Sequence, residues 1–213
     1  IETLIHLTDA TVIAITGSDG KTTSTTLTTL FLEAAGKNVY VGGNIGIPLL
    51  DKVEEMTKDD YVVLELSSFQ LMTMKEKIDR AAITNVSPNH LDYHRDYEEY
   101  IEAKANVFKC QDEFGILVLN EDNEYTSRYE KQAKGSVRKF SLEKETGCGV
   151  YHKDGKIYSS VGCKTEEIMD AKDVNLDFNK GGKATKALSK AGFKFINAGF
   201  LGFDKFLTHV NEG

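Results

Sequence analysis

Two apolar patterns alternate along the first two thirds of this chain, and their order predicts its architecture. Residues 11–16 (TVIAIT) form a short, unbroken, β-branched run, the pattern of a strand buried on both faces. Residues 22–35 then place Leu27, Leu30, Phe31 and Ala34 at helical spacing, and Gly36 supplies the stop. Strand character returns at 39–41, 61–66 (YVVLEL), 81–86 (AAITNV) and 115–119 (GILVL). Between these runs, 47–56, 97–108 and 123–133 read as helices, with Pro48 tolerable in a first turn. Strands alternating with helices predict an α/β fold, a mostly parallel sheet flanked by helices.

The texture changes after Ser141. Residues 149–151 and 157–159 flank His152-Lys153-Asp154-Gly155-Lys156, whose Asp-Gly pair predicts a β-hairpin at the sheet edge or in a small side sheet. From Phe178 onward the chain is rich in Gly, Lys and Phe, with a short helix expected at 184–191. The best boundary therefore lies near Asp177, separating a domain at 1–177 from an atypical tail at 178–213.

Composition narrows the classes. With 40% hydrophobic and 28% charged residues, the chain reads as soluble and globular. No apolar stretch approaches the ~20 residues of a membrane span, so no membrane partner is expected. A net charge of -7 argues against a nucleic-acid partner, which needs a basic field. Cys110, Cys148 and Cys163 form no CxxC pair and read as free thiols in a reducing cytoplasm.

The candidate chemistry starts at Thr16-Gly17-Ser18-Asp19-Gly20-Lys21-Thr22-Thr23, between the first strand and the first long helix. A nucleotide triphosphate needs converging backbone N–H groups, a cation and a hydroxyl for Mg2+. A glycine turn entering a helix N-terminus supplies the amides. Gly17 and Gly20 allow close approach, Lys21 reaches the β/γ-phosphates, and the Thr22 hydroxyl suits Mg2+. The common GxxxxGK[ST] spacing would put glycine at position 15, where Ile15 stands, so this loop is a shorter variant.

Glu65 lies inside the apolar run YVVLEL, where an unpaired carboxylate is costly. Its place near the carboxyl end of a parallel strand, where ligands collect, explains it as a Mg2+ ligand. His90 and Asp92 follow the third strand in NVSPNHLDYH and emerge at the same sheet edge. By spacing alone, Lys104 is an ordinary solvated helix lysine.

Together, TGSDGKTT, GGNIG (42–46), ELSSFQL (65–71) and NVSPNHLDYH (85–94) resemble the Mur ligases, which build the peptide stem of bacterial cell-wall precursors. ELSSFQL is most similar to the D-glutamate-adding branch of that family. The resemblance runs from about Val12 to Ser160. It implies ATP-dependent phosphorylation of UDP-MurNAc-L-alanine, followed by attack of D-glutamate. It further implies that Lys21 and the loop residues Gly17, Ser18, Asp19, Gly20, Thr22 and Thr23 hold ATP. Thr22 and Glu65 would bind one Mg2+, and His90 a second. Lys104 matches a lysine carbamylated by CO2, which turns a cation into an oxygen anion suited to Mg2+. Asn44, Ser67 and Gln70 match positions lining the muramoyl cleft.

The family pattern has three domains. About ten residues precede the first strand here, so a front domain is not expected within this chain, and no Gly-x-His-Asn segment follows Asp177. The chain alone is therefore expected to bind nucleotide rather than complete ligation. The alternative is a non-catalytic, self-associating module whose tail phenylalanines (Phe193, Phe195, Phe200, Phe203 and Phe206) cover interdomain surface.

Overall fold

The computed structural model describes residues 1–88, 94–162 and 164–173; His90, Asp92, Cys163 and the expected tail lie outside them. Helix α1 (Glu2–Leu7) leads into strand β1 (Thr11–Thr16), helix α2 (Lys21–Ala34) and strand β2 (Val39–Gly43). Strand β3 (Tyr61–Glu65), helix α3 (Ser68–Met72), strand β4 (Arg80–Ile83) and helix α4 (Tyr97–Lys109) follow. Then come strand β5 (Ile116–Asn120), helix α5 (Glu124–Arg128) and strands β6 (Ser136–Ser141), β7 (Gly149–Lys153), β8 (Lys156–Val161) and β9 (Lys164–Asp170).

Among the described residues these strands form one sheet in the order β2-β3-β1-β4-β5-β6-β7-β8-β9. Pairing is parallel from β2 through β7 and antiparallel where β8 and β9 are added. The expected hairpin thus extends the main sheet. Its turn places Asp154 at φ 50° and Gly155 at φ 75°, the double positive φ that the Asp-Gly pair favours.

Alternate residues of each strand face opposite sides of a sheet. Val12 and Ala14 of β1 join Val62, Leu64, Ala81 and Ile83 in the larger core, with Tyr100, Ile101 and Phe108 of α4. Ile13 and Ile15 face the other way, onto Val63, Ala82, Val118 and Leu32 of α2. The chain leaves β1 toward β2 and β3 on one side and returns to β4 on the other. Such a switch point opens a crevice at the carboxyl ends of the strands.

Three expected elements are corrected. Residues 47–56 do not form an α-helix; only Leu50–Glu55 coils, as a 3-10 helix with no buried side chain. Leu49 and Met56, on either side of it, are the buried anchors, so no apolar stripe holds a regular helix. Residues 123–133 divide into α5 and a 3-10 turn at Tyr129–Gln132, because Tyr129 buries its ring and donates to Ile101 O at 2.9 Å. Strand 81–86 stops at Ile83; the next residues turn toward the β1–α2 loop. Strands β6 and β9 and helices α1 and α3 were not expected. The polar sequence of β6, SVRKFS, lacks an apolar run and is held by register with β5.

Candidate functional site

The crevice begins where β1 runs out. Gly17 (φ 152°) and Gly20 (φ 77°) bend the chain into α2, and Gly20 is the N-cap without a side-chain cap bond. The first-turn amides of α2 have no intrahelical acceptor and carry the positive end of the helix dipole. Gly17 is also a steric requirement, since a Cβ there would sit 1.8 Å from Thr84 Oγ1.

Lys21 folds over the loop, its Nζ donating to Gly17 O at 3.0 Å and Ser18 O at 2.9 Å. From α4, Lys104 Nζ donates to the same Gly17 carbonyl at 2.8 Å. Lys104 is only 2% exposed, which overturns the solvated-helix expectation. Its Nζ lies 4.5 Å from the centroid of the Tyr100 ring. Burial, and next the Lys21 charge, lower its pKa from 10.5 to about 7, with Asp19 opposing.

The Lys104 shift has a sign that can be tested. Between pH of about 7 and 10.5 the unfolded chain holds a proton at Lys104 that the folded chain has released, so stability from this group rises with pH across that window. Below it, the full cost of burying the cation remains. Lys104→Met is expected to raise the urea midpoint relative to wild type near pH 6, roughly, and to lose that advantage toward pH 10. The measurement belongs in CO2-depleted buffer. A pH-independent difference would contradict a buried amine titrating near neutrality.

Glu65, at the end of β3, is 2% exposed. Its Oε2 accepts from Thr22 Oγ1 at 2.8 Å and its Oε1 from Asn44 Nδ2 at 3.0 Å. The Asn44 amide also donates to Glu65 O at 2.8 Å. The glycine turn after β2 therefore holds Asn44 against the strand end. Thr22, Glu65 and Asn44, drawn from three motifs, meet in one polar cluster.

Ser67 and Gln70 bond to each other. The Ser67 hydroxyl accepts from Gln70 N at 3.3 Å while Gln70 Oε1 accepts from Ser67 N at 2.9 Å, a capping box that starts α3. Gln70 also lines a cavity of about 420 Å³ with Gly43, Gly46, Pro48 and Leu49.

The residues around the loop that sequence reasoning missed are Thr84, Asn85, Ser87 and Tyr100. Asn85 Oδ1 accepts from Ser18 N at 3.0 Å and Asp19 N at 2.9 Å. The Ser18 hydroxyl donates to Ser87 O (3.1 Å) and accepts from Ser87 N (2.9 Å), leaving Tyr100 to donate to it at 2.8 Å. A signal existed: Asn85 opens NVSPNHLDYH directly beyond an apolar strand.

A parallel sheet with a glycine–lysine–threonine loop at its switch point, and a buried carboxylate on the adjacent strand end, defines a phosphate-loop α/β domain. Residues 15–190 match the Mur ligase middle domain. A UDP-N-acetylmuramoylalanine–D-glutamate ligase of Clostridium perfringens is 49% identical over 79% of this chain and 37% of its own length. One so named from Clostridium botulinum strain Loch Maree is 42% identical over 100% of this chain and 48% of its own length. In three dimensions MurF from Acinetobacter baumannii superposes with a TM-score of 0.61 at 18% identity, over 92% of this chain and 45% of that one. The chain belongs to the Mur ligase family and spans less than half the length of these curated relatives.

Proposed function

We propose that this chain provides the ATP- and Mg2+-binding middle domain of a bacterial cytoplasmic ligase that joins D-glutamate to UDP-MurNAc-L-alanine. The observation that carries the reading is the Thr22–Glu65 pair at 2.8 Å, seated beside the first-turn amides of α2 and the Lys21 ammonium. Gathered there are a cation, free amides, a hydroxyl and a carboxylate for phosphate and its metal.

The described residues fit Mg2+ chemistry. Mg2+ favours oxygen donors, typically one or two carboxylates together with phosphates and waters. Thr22 and Glu65 supply a hydroxyl and a carboxylate at one point, and no sulfur or imidazole competes within that pair. When bound, the metal would neutralise phosphate charge. Lys21 would hold the β/γ-phosphates, trading its bonds to Gly17 O and Ser18 O for phosphate oxygens.

The γ-phosphoryl group passes to the substrate carboxylate, giving an acyl phosphate and ADP. The D-glutamate amine then attacks the acyl carbon, the C–N bond forms, the C–O bond to phosphate breaks, and the amine releases a proton. Lys104 supports a further step of this reading. A buried amine with a pKa of about 7 is substantially neutral at physiological pH, the form that adds to CO2 to give a carbamate and a proton. Asn44, Ser67 and Gln70 would face the muramoyl substrate, Gln70 from the wall of its cavity.

Calorimetry with a non-hydrolysable ATP analogue tests the reading. Binding that requires Mg2+ and disappears with EDTA is the expected result; no binding in either condition would remove it. This chain alone is expected to bind nucleotide without completing ligation, so steady phosphate release that depends on both UDP-MurNAc-L-alanine and D-glutamate would overturn that expectation.

A further inference from the structure

We propose that Asn85 is a positioning residue that permanently occupies the Ser18 and Asp19 amides, holding the loop open so that phosphate contact falls to the amides of Gly20, Lys21, Thr22 and Thr23. This rests on the nucleotide reading above and assigns work within the loop that the motif alone treats as uniform.

The loop has two unlike halves. On the β1 side, the exit of β4 grips it closely. Asn85 Oδ1 accepts from both Ser18 N and Asp19 N, at 3.0 and 2.9 Å, and Asn85 O also accepts from Ser18 N at 3.0 Å. Thr84 Oγ1 donates to Asp19 O at 2.6 Å. The Ser18 hydroxyl is buried between Ser87 and Tyr100. On the α2 side, Gly20 is exposed and uncapped, and the first-turn amides face outward.

Two successive amides converging on one oxygen form a nest, the arrangement that binds an anionic oxygen. Here a neutral side-chain carbonyl from within the chain fills the nest. A phosphate would have to displace Asn85 to use those amides, and would leave its carbonyl facing an anion. The outward amides offer contact without that penalty. A loop held in its binding shape before the ligand arrives also spares the ordering cost of association.

Amide hydrogen exchange on the full chain tests this without nucleotide. Asn85→Ala should speed exchange at the Asp19 amide by about tenfold, the loss of one hydrogen bond's worth of protection. Ser18 N should respond less, because it keeps the backbone carbonyl of residue 85 as an acceptor. Asn85→Asp retains an acceptor oxygen and should restore protection at Asp19. Its new negative charge beside the phosphates should still weaken binding of the ATP analogue by about tenfold, most at low salt. In wild type, the analogue with Mg2+ should slow exchange at residues 20–23 and leave Asp19 nearly unchanged.

Unaltered Asp19 exchange in Asn85→Ala would overturn the proposal, as would nucleotide protection at Asp19 exceeding that at residues 20–23. If wild type binds no analogue, the nucleotide reading fails, and nucleotide-free exchange still decides what Asn85 holds. If Asn85→Ala does not fold, wild type and Asn85→Asp decide: matching slow Asp19 exchange supports the clamp, and fast exchange in wild type rejects it.

Discussion

Lys21→Ala is expected to weaken binding of the Mg2+–ATP analogue by about thirty- to hundredfold, or about 2–3 kcal/mol, with little change in stability. The Lys21 side chain is outside both hydrophobic cores, and its bonds are to two loop carbonyls at 2.9–3.0 Å. Removing it leaves Gly17 O with its bond from Lys104 Nζ, so little stability is expected to be lost. On the proposed reading, what is lost is a charge-assisted contact to phosphate. Lys104 is committed to Gly17 O and loses much of its charge near neutrality through burial. The same variant should also raise the Lys104 pKa, because the Lys21 charge lowers it. Calorimetry reads the affinity, and NMR titration of Lys104 reads the second effect. Unchanged affinity would remove Lys21 from the phosphate site.

Gly43→Ala should cost about 3–5 kcal/mol and lower Tm by roughly 10 °C, making it a strongly destabilising single change. Gly43 has φ 97°, and a Cβ there would lie 2.2 Å from Glu65 O and 3.1 Å from Glu65 N. Those atoms are backbone and cannot rotate away. Gly43 pairs with Glu65 in the β2–β3 ladder, so relief requires β2 to part from β3 or the Glu65 backbone to shift. Either movement displaces the carboxylate from Thr22, and Mg2+-dependent binding should fall with stability. Gly155→Ala is the control: its φ is 75°, but no atom lies within 4 Å of the added Cβ. It should cost only about 1–2 kcal/mol, the backbone penalty alone. Equal melting shifts for the two variants would mean that the contact with Glu65 is relieved without cost.

These variants mark where sequence and tertiary information divide. The strands at TVIAIT and YVVLEL are legible because a strand buried on both faces has no polar alternation to confuse with loop. Glu65 stands out for the same reason, as a lone carboxylate in an apolar run. The hairpin turn is legible in Asp154 and Gly155, whose positive φ values are a local property. By contrast, 47–56 and 123–133 appear helical by local spacing, yet buried anchors at Leu49, Met56 and Tyr129 break the regular path. Strand β6 has almost no local signature.

By itself, the sequence determined the α/β alternation, the phosphate loop, the carboxylate and, through four ordered motifs, the family. Each depends on neighbouring residues or on one residue type being costly where it stands. Only the tertiary structure decided that Lys104 is buried against Gly17, that Asn44 and Thr22 share Glu65, and that Asn85 grips the loop. These contacts join residues 21 to 87 positions apart, and strand order brings them together at the switch point. A periodic pattern states which face of an element is buried; it does not state which other element will face it.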